Sequence, residues 1–220
     1  DMGKAIPNSY EYHYLKHKND GSLLNITHLE KAYELRPESV ELYSDFVAYY
    51  DYTGNERKKS EFLQKWYGSK DVATGLLNYN YNVLMSAEKN AILFTNGDND
   101  TFPIWMLQLV LGIRTDVTIL NASISMASQE YLDRKLKDKG ITVNYDELPK
   151  YRSENFIAEL GKYIYRNYPE VPVCYGLTMW DYYIGSIKED LYIVGVAYRY
   201  SSERLDNIAL IKKNIPELRL

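Results

Sequence analysis

The chain has 220 residues, 45% apolar and 25% charged, ordinary globular values that allow one domain or two small ones with a sizeable core. Its 26 Lys and Arg against 30 Asp and Glu give a net charge of −4 with no basic cluster, so nucleic acid is excluded as an expected partner. No run approaches the ~18 apolar residues of a membrane span, and the single cysteine, Cys174, excludes an internal disulfide or a cysteine-rich metal site.

The 23 tyrosines are the compositional oddity. They can line a carbohydrate or peptide surface, but filling of cores and helix interfaces is the plainer reading. Residues 1–22 are polar and tyrosine-rich, with Pro7 early, Asn19-Asp20-Gly21-Ser22 as a closing turn and no signal-peptide pattern at the start. His13 and His17 stand four apart and can share a helix face. A zinc site there wants further ligands, and only His28 remains among the histidines.

From residue 25 to 67 the spacing is that of paired helices. Leu29, Ala32 and Leu35 precede Pro37. Tyr43, Phe46, Val47 and Tyr50 form the next stripe, Gly54 and Asn55 a turn, and Phe62, Leu63 and Trp66 a third stripe. With Pro37 as a closing proline, this resembles about one and a half tetratricopeptide repeats. Lys59 departs from that pattern where a small residue is wanted, as does Asp71 where the next proline is wanted. So few repeats are unstable alone, and the surface they offer suits a protein partner.

Beyond a junction at residues 68–71, Leu76, Tyr79, Val83, Leu84 and Ala87 have helical spacing. Ala91, Ile92, Leu93 and Phe94 then read as a strand and residues 95–101 as a polar loop. Phe102 begins a helix that tolerates Pro103 in its first turn and stops at Gly112. Val117-Thr118-Ile119-Leu120 completes a βαβ unit with parallel strands. Ser128 caps a further helix ending at Gly140, residues 141–145 suggest a short strand, and Ser153 starts a helix carrying Phe156, Leu160 and Ile164. Residues 171–178 and 191–200 read as two strands, antiparallel to each other because the link is short, and residues 203–214 as a last helix. The expected fold is α/β: a three-layer α/β/α sandwich with a mostly parallel, Rossmann-like sheet over residues 71–220, preceded by a short all-α, TPR-like region over residues 1–70.

The loop of residues 96–101 is the candidate ligand-binding site, because it leaves the carboxyl end of a parallel strand, where open sheets place their ligands. Asn96, Asp98, Asn99, Asp100 and Thr101 offer carboxylates and amides that can ligate a divalent cation or hydrogen-bond the hydroxyls of a glycan or other polar small ligand. Asn121 and Ser123, leaving the next strand, are the expected neighbours of Asp98. Helix capping and a glycine turn explain only one or two of the six positions. A dehalogenase-type Asp-x-Asp nucleophile wants Thr or Val where Phe102 stands. A metal-diphosphate site lacks a glycine-rich phosphate loop, and no Gly-x-Ser-x-Gly elbow is present. No catalytic residue is assigned. Arg114 and Asp116 are expected to form a structural ion pair at the opposite end of the sheet.

Gly97 to Pro103 with Trp105, Leu107 and Gln108, then Gly112, Arg114, Asp116, Val117, Asn121 and Ser123, form a long pattern, joined later by Gly195-Val196-Ala197-Tyr198-Arg199. Over residues 75–200 this resembles the extracytoplasmic portion of a bacterial family of multipass membrane proteins described as protein O-mannosyltransferase-like. The resemblance implies a place outside the cytoplasm, periplasmic or at the cell surface, with a signal peptide already removed. It does not imply transferase activity, because the membrane helices that would carry it are absent here. The leading expectation is a non-catalytic binding module. Two readings compete with it: a metal-dependent hydrolase or glycosyl-transfer-related enzyme using Asp98 and Asp100, and a protein-interaction scaffold acting through the helical repeats.

Overall fold

The computed structural model describes residues 6–219; residues 1–5, the start of the polar tyrosine-rich segment, lie outside the described residues, as does the expected absence of a signal pattern there. The chain divides into two compact units, residues 1–71 and 72–220. Among the described residues no helix is long and apolar enough to cross a membrane.

The first unit is helical. Helix α1 (Tyr10–Asp20) begins where Ser9 Oγ accepts from the Tyr12 N–H at 3.1 Å and stops at Gly21, whose φ of 64° only glycine adopts cheaply. It pairs with α2 (Thr27–Leu35), which ends just before Pro37. Helices α3 (Tyr43–Thr53) and α4 (Glu56–Ser69) pair across Gly54 and the Asn55 cap. The polar amino-terminal segment is therefore itself a helix, and two complete helical hairpins form where one and a half repeats were expected. Leu29, Ala32, Val47 and Leu63 are fully buried between these helices, and Phe46 stacks on Phe62 with centroids 4.2 Å apart. Lys59, out of pattern for the repeat, is buried with its ammonium 2.6 Å from Asp51 Oδ1. The ion pair compensates for the loss of hydration that a lone buried ammonium would suffer.

The second unit carries one five-stranded mixed sheet flanked by helices. After α5 (Thr74–Ser86) come β1 (Ile92–Thr95), α6 (Asp98–Leu109), β2 (Thr118–Asn121), the single turn α7 (Ala122–Ser125), α8 (Gln129–Lys137) and α9 (Phe156–Asn167). Then follow β3 (Val173–Gly176), the short α10 (Asp181–Ile184), β4 (Leu191–Ile193), β5 (Ala197–Tyr200) and α11 (Asn207–Asn214). The strand order is β2-β1-β3-β5-β4. β1 pairs in parallel with both β2 and β3, while β3–β5 and β5–β4 are antiparallel. The sheet is thus evenly mixed rather than mostly parallel. Ile92, Phe94, Leu120, Val173 and Tyr175 join one buried cluster with Leu132 and Leu136 of α8 and Ile157, Leu160 and Ile164 of α9. Gly161 of α9 is required there, because a Cβ on it would lie 1.8 Å from the Tyr175 hydroxyl.

Two expected strands take other forms. Residues 191–200 are a hairpin, not one strand. The chain reverses at Gly195, whose φ is 137° and where a Cβ would meet Ser86 Oγ at 2.4 Å. Residues 141–145 pair with no strand. The Thr142 N–H donates to the Tyr168 hydroxyl at 2.9 Å, the Asn144 N–H donates to the Tyr163 hydroxyl at 3.1 Å, and both hydroxyls donate back to the Thr142 carbonyl. Tyr163 of α9 and Tyr168 at its carboxyl cap thus satisfy backbone groups that a neighbouring strand would otherwise have to satisfy.

Candidate functional site

Sequence spacing starts the helix after β1 at Phe102, but α6 begins at Asp98, with Gly97 in extended conformation as its cap. Asp98, Asn99, Asp100 and Thr101 are therefore its first turn, and the loop proper shrinks to Asn96 and Gly97. Two carboxylates are favoured in that position, because the unpaired N–H groups and the positive end of the helix dipole face them.

The earlier start places Pro103 beyond the first turn, where its missing N–H leaves the Asn99 carbonyl without its intrahelical donor. The donor comes from α5. Asn80, fully buried, gives its side-chain N–H to the Asn99 carbonyl at 2.8 Å and to the Leu76 carbonyl at 3.0 Å. One amide on a neighbouring helix thus makes this proline tolerable, and it ties α5 to the turn that carries the acidic pair.

Thr101 and Asn121 hold the turn from below. Thr101 is fully buried and Asn121 nearly so. The one hydroxyl proton of Thr101 goes to the Gly97 carbonyl at 2.7 Å. Thr95, 2.7 Å away, and the Asn121 amide, 2.9 Å away, must then both donate to Thr101 Oγ1. Asn121 Oδ1 accepts from the Ile124 N–H at 3.0 Å and caps α7. These two candidate residues position the others. Their bonds are to protein partners, and both lie beneath the surface.

The exposed candidates are Asp98, Asn99 and Ser123, with Asp100 and Asn96 half-buried. They lie where the connection from β1 leaves toward β2 on one side and that from β3 toward β4 on the other, a topological switch point of the parallel part of the sheet. Asp100 spans it, accepting from Thr178 Oγ at 2.5 Å, just past the end of β3. Burial, and behind it the Asp100 carboxylate, pushes the Tyr79 phenol of α5 above its ordinary pKa. From the β3 side, the Tyr183 hydroxyl lies 3.2 Å from Ser123 Oγ, and Trp180 stacks on Tyr183 at 6.2 Å with 64% of its surface exposed. Trp180 and Tyr183 escape a reading of the sequence that treats residues 179–190 as a link, and Thr178 escapes one that carries the strand to residue 178, two positions past its observed end at Gly176. The signal available was three aromatic residues within four positions directly after a strand.

No group of three or more His, Cys, Asp and Glu able to hold a metal occurs among the described residues. Asp98 and Asp100 stand as a pair of carboxylates with amide and hydroxyl neighbours. In the helical unit, His13 and His28 face each other Nδ1 to Nδ1 at 2.7 Å, a hydrogen bond sharing a proton, and His17 turns instead to Asp45 at 3.4 Å. Burial, then the charges of His28 and Lys31, holds the His13 pKa below its usual value.

Residues 76–168 match the family model of TMEM260-associated domain 2. No curated protein and no solved structure matches the chain. The matched span runs from within α5 to beyond the last residue of α9. It includes the acidic turn, the Asn80 contact and Asn121, while Thr178 and Trp180 fall outside it.

The same span holds Gln108, Arg114 and Asp116, which meet at the amino edge of the parallel strands. Arg114 adopts a φ of 47°, uncommon outside glycine, and its guanidinium is held on all sides. It donates to the Leu84, Ala87 and Glu88 carbonyls at 3.1, 2.9 and 3.0 Å and grips both oxygens of Asp116. Asp116 also accepts from the Asn90 N–H at 2.8 Å, and its pKa is pulled down to about 2, chiefly by the Arg114 hydrogen bond. Gln108 donates to the Arg114 and Val117 carbonyls, both at 2.8 Å. The expected ion pair forms, and it fastens the end of α5 to the entry of β2. A groove of about 640 Å³ opens beside it, lined by Glu88, Lys213, Asn214 and Glu217 among others. The late glycine-to-arginine segment reaches the same edge, with Arg199 paired to Glu88.

Proposed function

We propose that the second unit is a non-catalytic, extracytoplasmic binding module that takes a hydroxyl-rich polar ligand at the carboxyl edge of β1 and β3. The observation that carries this reading is the Asp100–Thr178 bridge across the switch point, with Asp98, Asn99 and Ser123 on the surface around it. Carboxylates and side-chain amides are the groups that accept from and donate to vicinal hydroxyls, and the buried Thr95–Thr101–Asn121 network fixes them before a ligand arrives. The family-model match over residues 76–168 is compatible with kinship to O-mannosyltransferase-like membrane proteins, which supports a place outside the cytoplasm. The same reading treats the unit as a three-layer sandwich, since Leu93, Ile119 and Cys174, which alternate with the clustered residues along their strands, are buried as well.

The test is a glycan array probed with the parent chain and with an Asp98→Asn/Asp100→Asn variant. Binding by the parent that the variant loses is the expected outcome. Binding that both retain equally would remove the acidic turn from the site. Calorimetric titration of both proteins with Mg²⁺, Mn²⁺ and Ca²⁺ then asks whether the pair needs a cation. Heat that depends on the two carboxylates would redirect the reading toward a metal-dependent one.

A further inference from the structure

Trp180 is the least buried large hydrophobic side chain in the described residues at 64% exposure, followed by Ile208 at 61%. Its setting differs from that of Ile208. Ile208 sits on the exposed helix α11, none of whose residues is buried, whereas Trp180 is fixed on both sides within a polar site. Two residues before it, Thr178 is bonded to Asp100; three residues after it, Tyr183 lies nearly parallel to its ring, offset with centroids 6.2 Å apart and an interplanar angle of 11°, and its hydroxyl is 3.2 Å from Ser123 Oγ. The indole is thus flanked by the offset ring of a buried tyrosine and is mostly open to solvent, beside carboxylate and hydroxyl groups. Leu177 and Tyr182, at 36% and 44% exposure, lie in the same segment.

A flat apolar face next to acceptors of hydroxyl protons is complementary to a ligand that is itself two-faced. A fully polar ligand, such as a phosphate or an amino acid, makes no use of the indole, and a fully apolar one leaves Asp100 and its neighbours poorly solvated. A pyranose ring matches both halves. Its axial C–H groups form an apolar face, and its equatorial hydroxyls radiate around the rim.

We propose that Trp180 is the stacking platform of the site and that the ligand is a pyranoside, laid on the indole with its hydroxyls toward Asp98, Asp100 and Ser123. This rests on the reading of the carboxyl edge as a site for hydroxyl-rich ligands, and the experiment separates the two claims. Methyl glucopyranoside, methyl galactopyranoside and methyl mannopyranoside are titrated into the parent chain by saturation-transfer NMR. Glucitol serves as an open-chain polyol with the same hydroxyl chemistry and no rigid apolar face. The parent should bind at least one pyranoside and should not bind glucitol measurably, with saturation strongest at ring protons of one face. Trp180→Ala should weaken binding roughly tenfold, and Trp180→Phe should retain most of it. Because the residue is exposed, both variants should keep the parent's circular dichroism and melting curve. Equal binding of glucitol and pyranosides, or an affinity unchanged in Trp180→Ala, overturns the stacking platform and leaves the hydroxyl site standing. No binding of either kind overturns both.

Discussion

The two edges of the parallel strands use similar residue types for opposite purposes. At the amino edge, Arg114 and Asp116 face each other, and the remaining donors of Arg114 go to three backbone carbonyls around the end of α5. At the carboxyl edge the polar residues divide. Thr95, Thr101 and Asn121 are buried and bonded to one another, while Asp98, Asn99 and Ser123 reach the surface above them. A polar motif therefore has to be sorted by depth before any of it is assigned to a ligand. Arg114 and Asp116 are part of the scaffold, and so is Thr101 of the acidic turn.

The sharpest way to break this contrast is Arg114→Ala. It strips donors from three carbonyls and leaves Asp116 without its cation, so a loss of about 3 kcal/mol is expected. It should appear as a lower urea midpoint at unchanged slope. Arg114→Lys should recover less than half, because an ammonium cannot reproduce the fork. If Arg114→Ala were as stable as the parent, the amino edge would be no more structural than the carboxyl one.

Next in size is Thr101→Val at the buried half of the carboxyl edge. The change keeps the shape but removes the acceptor for Thr95 and Asn121, and it should cost about 2 kcal/mol. The contrasting substitution is Ser123→Ala at the exposed half, expected within about 0.5 kcal/mol of the parent. Equal costs would mean that depth does not sort the motif.

Much of this was legible in the chain and some could not have been. The apolar runs at residues 91–94 and 117–120, the first followed by Asn96-Gly97 and the second beginning after four residues beyond Gly112, fix the parallel pair, and Thr95 does lie opposite Asn121 in register. The start of α6 was not legible. Proline normally marks a first turn, and what shifts the helix start to Asp98 is an amide nineteen residues upstream on another helix. Thr178 stands 78 residues from Asp100, a separation at which local pattern carries no information. Residues 191–200 look like one strand because nothing in a hydrophobic run shows that Gly195 must press against Ser86.

The Asn80 contact yields a finer test of the carboxyl edge, read as a double-mutant cycle. Asn80→Leu leaves the Asn99 carbonyl without a donor and should cost about 1–2 kcal/mol. Pro103→Ala restores an N–H at the position that would bond that carbonyl, so in its background the cost of Asn80→Leu should shrink by at least half. Additive costs would show that Asn80 does something other than replace the bond that proline removes.

The smallest effect expected is that of pH on the amino edge. Asp116 titrates at about 2 in the folded chain against an ordinary 3.8, so the unfolded chain takes up the proton first as the pH falls. The stabilisation from its pairing is therefore complete above about pH 4 and is lost as the pH falls through 3.8 toward 2. Partial contact with water and screening by salt keep the effect modest. Urea midpoints measured across that window should fall more steeply for the parent than for Asp116→Asn, which has already lost the charge. Parallel curves for the two proteins would mean that the carboxylate's bonds to Arg114 and to the Asn90 N–H are replaced in the unfolded chain, and the amino edge would then owe its stability to contacts other than this carboxylate's, the guanidinium's and Gln108's bonds to backbone carbonyls among them.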